Sequence, residues 1–539
     1  MALPKSSEII SRATTNFNNI KSALEFIGID TSTLTSDNYS DKIRALADEI
    51  DKVISLENQV TEDNSNFSNI YDAIVEKGQT PTESDRSTYA DAIKAIETSG
   101  GTEDYEINNC YHLFGVGTDA SAKFRSDLID IWLPHCKNVT NWNNAFEGAK
   151  IPDGKTIEID MTSITDQDYT YAFLECMPES NTAEITLKAK TNGFFRYLFN
   201  KCNNTNKYGL INAIIKDISD GAGITTLSNL FQNARNIKSI DIDADLSNVQ
   251  HLNYTFQYFN NTNKSGMLTV LDLSNLNIDW TKILNMQFMF NTSSYLTEII
   301  LASEVPVLTD VNPYVAFNGC TSLKRVGICF KDTSSKNTYQ LYSDLFNGCT
   351  SLQEVYSTED WILRAPIYRL FYKCSALKTL PAIHLDNWSL SSNSTYSYQQ
   401  AFYGCSELEE ITLYLDQIPP SSGYLINMTG FFYNCSKLKA VKGAFDLNNI
   451  HYNSTNVFYG CTVLETIETS SRICGNTSNN FTLDLSASPV FKIADYITSL
   501  GENTSGKTRT IKLHADVYNA LTDETVALAT TKNYTLASA

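Results

Sequence analysis

Phe317-Asn318-Gly319-Cys320-Thr321-Ser322-Leu323 carries the main structural signal of the sequence, because its pattern Phe-x-x-Cys-Ser/Thr-x-Leu recurs along the chain. Further strict copies begin at Phe346, Phe371, Phe402, Phe432 and Phe458. Degenerate copies extend the array upstream and begin at Phe146, Phe173, Phe199, Phe231, Phe256 and Phe290. The twelve copies follow one another every 25 to 34 residues, a mean of about 28, which is typical of a repeat architecture.

Each copy predicts one strand and one turn. The Leu opens a short apolar alternation such as Leu408-Glu409-Glu410-Ile411-Thr412-Leu413, which indicates a strand with one buried face. The Phe precedes it in a short helical or turn segment, where Gly or Asn allows the chain to reverse. One such unit cannot bury its own apolar face, so the units must stack.

Stacking predicts a core in which equivalent Phe, Cys and Leu side chains lie on one another. The predicted core residues are Phe317, Cys320, Leu323, Phe346, Cys349, Leu352, Phe371, Cys374, Leu377, Phe402, Cys405, Leu408, Phe432, Cys435, Leu438, Phe458, Cys461 and Leu464. Buried packing is our first interpretation of these cysteines, with disulfide or metal use as alternatives. A zinc site is disfavoured because the repeat cysteines form no Cys-x-x-Cys pair.

The Phe-x-x-Cys-Ser/Thr-x-Leu phrase resembles the BspA-like leucine-rich repeats. The resemblance covers roughly residues 141–470, and it is specific in the second half and loose in the first. It implies a curved, right-handed solenoid with a sheet on one side. The expected fold class is therefore an α+β repeat: small N-terminal helical hairpin modules, a BspA-like solenoid and a C-terminal cap. Wide copy spacing predicts bulging loops, which often carry binding function.

The first 100 residues carry a second repeat, with an offset of 50 that aligns Phe17 with Phe67 and Gly28 with Gly78. Apolar stripes at helical spacing predict a helical module in 1–55 and another in 56–100. Two short helices bury too little surface to be stable alone, so we expect these modules to dock on another subunit or assembly. Residues 101–140 are expected to cap the solenoid, which spans 141–470, and 471–539 to form a C-terminal capping segment.

Both ends of the chain resemble bacteriophage tail and fibre proteins. The phrases concerned are Asn69–Gly78 with Tyr89–Ile96, Asn109–Thr140 and Leu521–Leu536. The resemblance implies a virion protein assembled in the host cytoplasm. It also implies other virion proteins as partners of the N-terminal modules and a homo-oligomer, most commonly a trimer.

Composition excludes several classes of protein. The chain has 539 residues and a formal net charge of −20, which argues against a nucleic-acid partner. No apolar run reaches the roughly 20 residues of a membrane helix, so no membrane insertion is expected. Residues 1–8 lack an apolar signal region, so nothing directs export and reduced thiols are the default.

Enzyme signals are weak. Gly501-Glu502-Asn503-Thr504-Ser505-Gly506-Lys507-Thr508 fits the spacing of a phosphate-binding loop. That loop must follow a strand and open a helix, whereas here a predicted helix precedes it and a predicted strand follows it. The six histidines are scattered and no carboxylate pair stands out. We therefore expect no enzyme activity, no catalytic residues, no cofactor and no metal.

Tyrosine is concentrated between residues 339 and 459. Tyr372, Tyr403, Tyr433 and Tyr459 follow the repeat Phe directly, which favours a repeated packing role. Aromatic residues of the irregular stretches are better candidates for recognition, because they offer large contact area at low entropic cost. The candidate host-contact residues are Trp361, Trp388, Tyr396, Tyr398 and Tyr424.

The leading functional hypothesis is a bacteriophage tail fibre or receptor-binding appendage. It would attach through its N-terminus and contact a host cell-surface protein or glycan non-catalytically through the solenoid. The alternatives are a bacterial cell-surface adhesin of the BspA-like family, a tailspike depolymerase and a head fibre.

Overall fold

The computed structural model describes the repeat region and the C-terminal segment. The described residues are 107, 110, 113–114, 129–130, 133–164, 171–193, 195–203, 208–219, 224–333, 342–385, 395–415, 425–446, 454–470, 480–504 and 506–539. The predicted helical modules 1–55 and 56–100 lie outside them, as does most of the cap expected in 101–140.

Short strands recur once or twice in each coil. They are β1 (Lys150–Ile151), β2 (Thr156–Asp160), β3 (Met177–Pro178), β4 (Glu184–Thr191), β5 (Leu210–Asp217), β6 (Ile237–Asp243), β7 (Val270–Asp272), β8 (Glu298–Ile300), β9 (Val307–Thr309), β10 (Arg325–Gly327), β11 (Cys329–Lys331), β12 (Glu354–Tyr356), β13 (Trp361–Leu363), β14 (Ile383–Leu385), β15 (Thr395–Ser397), β16 (Glu410–Tyr414), β17 (Leu425–Asn427), β18 (Ala440–Ala444), β19 (Thr466–Ile467), β20 (Phe481–Leu485), β21 (Arg509–Leu513) and β22 (Thr535–Ser538).

Strands of successive coils pair in parallel and build three long sheets. Their orders are β2-β4-β5-β6, β7-β8-β10-β12 and β9-β11-β13-β14-β16-β18-β19. Two smaller pairs, β1-β3 and β15-β17, are also parallel. The register is regular: β16 and β18, for example, pair from Glu410 with Ala440 to Tyr414 with Ala444. This is a β-solenoid of about twelve turns, as the repeat spacing predicted.

The repeat phenylalanines form one continuous stack through the solenoid. In all eleven neighbouring pairs from Phe146 to Phe458 the ring centroids are 4.9–5.7 Å apart, with Phe317–Phe346 and Phe256–Phe290 as the extremes. The eighteen predicted core residues of the strict copies are each at most 1% exposed. The predicted stacking of the Phe side chains is confirmed.

The segment around each Phe is a turn, and two left-handed residues shape it. The residue two positions after the Phe has positive φ in all twelve coils, whether it is Gly348 (74°), Asn434 (59°) or Lys373 (61°). The residue two positions before the Phe also has positive φ in eleven of the coils, as at Val315 (59°). Glycine and asparagine accept this region most readily, which explains their frequency here.

Main-chain hydrogen bonds join the turns along the solenoid axis. Each Phe N–H donates to the carbonyl that precedes the Phe of the following coil: Phe317 to Leu345 at 2.9 Å and Phe371 to Ala401 at 2.7 Å. The residue two positions after the Phe donates to the carbonyl of the residue that follows the next coil's Phe, as Gly348 N–H does to Tyr372 O at 2.8 Å. The turn side therefore has its own ladder, separate from the sheets.

The repeat cysteines donate hydrogen bonds backwards along the stack. Each Sγ lies 3.0–3.2 Å from the carbonyl oxygen of the preceding coil's Phe, as for Cys349 to Phe317 (3.0 Å) and Cys405 to Phe371 (3.2 Å). In the degenerate copy of Phe290, Ser293 holds the same place and its Oγ donates to Phe256 O at 2.5 Å. The thiol is thus a small buried donor.

The C-terminal segment contains a parallel three-stranded sheet, β20-β21-β22. Three short helices pack with it: α1 (Ile493–Ser499), α2 (Ala515–Asn519) and α3 (Asp523–Thr531). Lys532 Nζ donates to Ile497 O and Thr498 O at 3.0 and 2.9 Å. A cation at these carbonyls satisfies the C-terminal end of α1 and complements its dipole.

Candidate binding surface

One side chain in each coil, the residue directly after the repeat Phe, forms a row on the turn side of the solenoid. We call this row the post-Phe column. Its members from the third coil to the last are Asn200, Gln232, Gln257, Asn291, Asn318, Asn347, Tyr372, Tyr403, Tyr433 and Tyr459. The sequence therefore divides the column into an amide half and a tyrosine half.

The amide half is a ladder of side-chain hydrogen bonds. Asn200 Nδ2 donates to Gln232 Oε1 at 2.9 Å, and Gln232 Nε2 donates to Gln257 Oε1 at 2.6 Å. Gln257 continues to Asn291 at 3.2 Å, and Asn291 to Asn318 at 3.2 Å. An amide both donates and accepts, so a row of amides satisfies its own members. This half uses much of its hydrogen-bonding capacity internally.

The tyrosine half is a stack of four rings. Tyr372 and Tyr403 are 4.9 Å apart between centroids, Tyr403 and Tyr433 4.6 Å, and Tyr433 and Tyr459 4.7 Å. The planes of the central pair differ by only 3°. We call these four residues the tyrosine column. The spacing is that of neighbouring strands, because the coils impose it.

The tyrosine column is open to solvent, unlike the Phe stack beside it. Tyr459, at its end, is 55% exposed, and the other three are half-buried. Partial burial, and to a smaller extent electrostatic interaction with Tyr433 and Tyr372, raise the pKa of Tyr403 above its ordinary value, so its hydroxyl is neutral at physiological pH. Four amphipathic rings held in one geometry make a rigid contact surface.

Two cations border the column at Tyr372. The Arg369 guanidinium lies 5.0 Å from the Tyr372 ring centroid and 4.8 Å from that of Tyr368. Lys373 Nζ lies 5.2 Å from the Tyr372 ring. Arg369 Nε also donates to Gln400 Oε1 at 2.9 Å, which fixes its position. Cation–π contacts of this kind orient the first ring of the stack.

The sheet surfaces carry a different chemistry, dominated by ion pairs between successive coils. Arg325 Nη2 lies 2.7 Å from Glu298 Oε1, Lys188 Nζ 2.9 Å from Glu158 Oε1, and Lys190 Nζ 3.1 Å from Asp160 Oδ2. Such exposed pairs contribute little to stability. These strand surfaces are therefore charged, whereas the tyrosine column on the turn side is aromatic.

The structure corrects two of the five predicted contact residues. Trp361 is fully buried: it begins β13 on the inward face, stacks near Phe346 and Phe371, and its Nε1 donates to Ile328 O at 2.9 Å. Tyr398 is 1% exposed. Neither side chain can contact a host surface in this fold, because packing already covers it.

The other three predicted contact residues remain predictions. Trp388 and Tyr424 lie outside the described residues. Tyr396 pairs through its main chain with Ile426 in β15-β17, and its side chain is not described. For the tyrosine column, by contrast, the sequence favoured a packing role. Its fixed place directly after each Phe was nevertheless visible in the sequence.

The segment that fits the phosphate-binding spacing lies between α1 and β21. This order of helix, loop and strand agrees with the expectation and differs from a phosphate-binding loop, in which the loop opens a helix. Asn503 Nδ2 donates to Lys507 O at 2.9 Å and Asn533 O at 3.0 Å, which ties the loop to the end of α3.

No three His, Cys, Asp or Glu side chains in the described part of the chain lie close enough to hold one metal ion. Among the same residues, no helix has the length and hydropathy needed to span a membrane.

Comparison with known proteins identifies the repeats. Residues 272–413 and 420–512 match the family model of the BspA type leucine rich repeat region, in six copies. The match includes the tyrosine column and the strict Phe-x-x-Cys copies. No curated protein and no solved structure matches the chain significantly.

Proposed function

We propose that the chain is a non-catalytic binding protein whose solenoid recognises a cell-surface glycan or protein through the tyrosine column. The observation that carries this proposal is the stack of four solvent-accessible tyrosines at 4.6–4.9 Å on consecutive coils. Their phenol groups offer neutral donors and acceptors on a rigid apolar body, a combination enriched at recognition surfaces. The BspA-type repeat match supports a repeat-based binding role.

We further propose that the protein is a bacteriophage virion appendage, a tail fibre. Its N-terminal modules would attach it to other virion proteins, its solenoid would face the host, and the assembly would be a homotrimer. The support is the resemblance of Asn69–Gly78, Asn109–Thr140 and Leu521–Leu536 to phage tail and fibre proteins. A bacterial surface adhesin is the second candidate, favoured by the BspA-type match.

The binding surface is tested with two variants of the whole chain. The first carries both Tyr403→Ala and Tyr433→Ala, and the second, the matched control, carries Tyr356→Ala. Tyr356 is also exposed (37%) but ends β12 on a sheet. Binding of labelled protein to a panel of bacterial cells should weaken at least tenfold in the first variant, as for a central hot spot of about 2 kcal/mol. Equal affinity of both variants and the parent would refute the assignment.

The same assay separates the two ligand classes. Periodate oxidation of the cells destroys vicinal diols of sugars, whereas protease treatment removes surface proteins. Loss of binding after only one treatment identifies the class. Reducing ends released from cell-surface polysaccharide by the purified protein would contradict the non-catalytic assignment and favour a depolymerase.

The place of action is tested with antibodies raised against residues 133–539. Immunogold labelling of purified phage particles supports the virion assignment, and its position distinguishes a tail fibre from a head fibre. Labelling of bacterial cells in the absence of phage would support the adhesin instead. Light scattering of the whole chain tests the trimer, which a monomeric mass would contradict.

A further inference from the structure

Two cysteines at the N-terminal end of the described solenoid lie in direct contact. Cys110 Sγ is 3.3 Å from Cys136 Sγ, although the two residues are 26 positions apart. Cys110 is fully buried, whereas Cys136 is partly exposed. Neither residue belongs to a Phe-x-x-Cys copy, so the packing role of the repeat cysteines does not explain this pair.

The main chain holds the pair in place. Ile107 N–H donates to His135 O at 2.8 Å, directly before Cys136, and Cys110 N–H donates to Asn141 O at 2.8 Å. Cys136 N–H donates to Leu133 O at 3.1 Å. With both backbones fixed, a disulfide requires the sulfurs to approach by about 1.3 Å, to the S–S length near 2.05 Å, which side-chain rotation can supply.

We propose that Cys110 and Cys136 are a disulfide-forming pair that closes the N-terminal end of the solenoid by exchange with a small oxidised disulfide such as glutathione disulfide. The Cys136 thiolate attacks one sulfur of glutathione disulfide and releases one glutathione. The Cys110 thiolate then attacks Cys136 Sγ and expels the second. Two protein thiols are oxidised, one glutathione disulfide is reduced to two thiols, and the two thiol protons end on glutathione.

The order of attack follows from exposure. Burial and the neighbouring Cys136 raise the pKa of the Cys110 thiol well above its ordinary value, which leaves it protonated and inaccessible. Cys136 meets solvent and reacts first. Cys110 reacts second, because the Cys136 sulfur, which the mixed disulfide makes electrophilic, lies 3.3 Å from Cys110 Sγ.

The repeat cysteines provide an internal comparison. Cys349 and Cys374 lie in successive coils, are both fully buried, and donate to Phe317 O and Phe346 O at 3.0 Å each. An oxidant cannot reach either thiol while the coils are stacked. Proximity alone therefore does not predict oxidation, and the half-exposed member makes the Cys110–Cys136 pair different.

A disulfide here has a structural consequence that is independent of the proposed binding function. The first coil of a repeat array has a neighbour on one side only, so it is the place where such an array frays. Joining Cys110 to Cys136 ties the segment before the array to its first coil. The chain would gain this closure on moving from a reducing to an oxidising compartment.

The experiment uses the full chain, incubated with glutathione disulfide, then denatured, treated with N-ethylmaleimide, digested and analysed by mass spectrometry. We expect one cross-linked peptide pair containing Cys110 and Cys136, and alkylated Cys349 and Cys374. The thermal midpoint should rise on oxidation and fall again with dithiothreitol, and Cys136→Ser should show neither change.

Three results would overturn the proposal, and none depends on a variant that folds. Cys110 and Cys136 could both be recovered alkylated, which shows that the pair does not oxidise. Cys136 could remain as the glutathione adduct, which shows that Cys110 does not reach it. Either cysteine could be found linked to another one, such as Cys474.

Discussion

Replacement of Phe371 by Ala tests the central physical claim, that stacked rings hold neighbouring coils together. Phe371 is fully buried, with Phe346 at 5.1 Å on one side and Phe402 at 5.6 Å on the other. Trp361 also lies 6.3 Å from it between ring centroids. The substitution therefore removes two links of the stack at once.

The expected cost is about 3–5 kcal/mol of unfolding free energy, the usual range for Phe→Ala in a well-packed core. Each lost aromatic pair contributes about 0.5–1.5 kcal/mol of this cost, in addition to the contribution of the buried apolar area. Phe371→Leu is the matched control, because it keeps an apolar side chain in the Phe stack. It should lower the unfolding free energy by less than about 1.5 kcal/mol.

Urea unfolding followed by circular dichroism measures the magnitude, and hydrogen exchange measured by mass spectrometry locates the damage. Because each coil contacts only its neighbours, faster exchange should be confined to the coils around Phe346, Phe371 and Phe402. A cost below about 1 kcal/mol for the Ala variant would refute the reasoning. Equal acceleration in the distant residues 133–164 would also refute it.

Three further substitutions test the turns, the thiols and a buried pair. Gly348 has φ +74°, so Gly348→Ala should lower the free energy of unfolding in urea by about 1–2 kcal/mol. Gly348→Asn should lower it less, because Asn434 occupies the equivalent position at φ +59°. Equal losses for the two variants would contradict this. Burial raises the pKa of the Cys405 thiol, so its contribution to the free energy of unfolding is complete below the pKa of the unfolded thiol and is lost as pH rises above it, by up to about 1.4 kcal/mol per pH unit. The free energy of unfolding of the Cys405→Ser variant should therefore fall less steeply between pH 8 and 10. An identical decline in both proteins would contradict this. Tyr342→Phe removes a 2.8 Å hydrogen bond to buried Asp332 and should cost about 1–3 kcal/mol; an unchanged urea midpoint would argue that the pair is not needed.

The solenoid could be predicted from the sequence because its signal is repeated. Phe, Cys and Leu recur in fixed relation, and only stacking buries all of them at once. The first residues of the strands were predicted less accurately. The apolar alternation begins at Leu408, whereas β16 begins at Glu410. Leu408 still belongs to a turn, because its N–H donates to Cys405 O at 3.2 Å, and strand pairing begins only after this turn ends.

The contact residues were harder to predict because the inter-repeat stretches lack periodicity. Trp361 stands in such a stretch, and no neighbouring copy indicates which face of a three-residue strand it occupies. Its ring fits beside the Phe stack, where burial is most favourable for a large apolar side chain. For the tyrosine column the sequence revealed recurrence but not exposure, which depends on where the turn places the residue after each Phe.

The direction of the turn-side hydrogen bonds has a mechanical consequence. These bonds run from coil to coil, so tension between the two ends of the solenoid pulls directly on each of them in turn. A coil that yields releases roughly 28 residues, or about 100 Å of extended chain, before the next one carries the load. Pulling single molecules should therefore give a series of small extensions that vary with the 25 to 34 residues of each coil, and such a protein would dissipate a sudden pull while it stays attached.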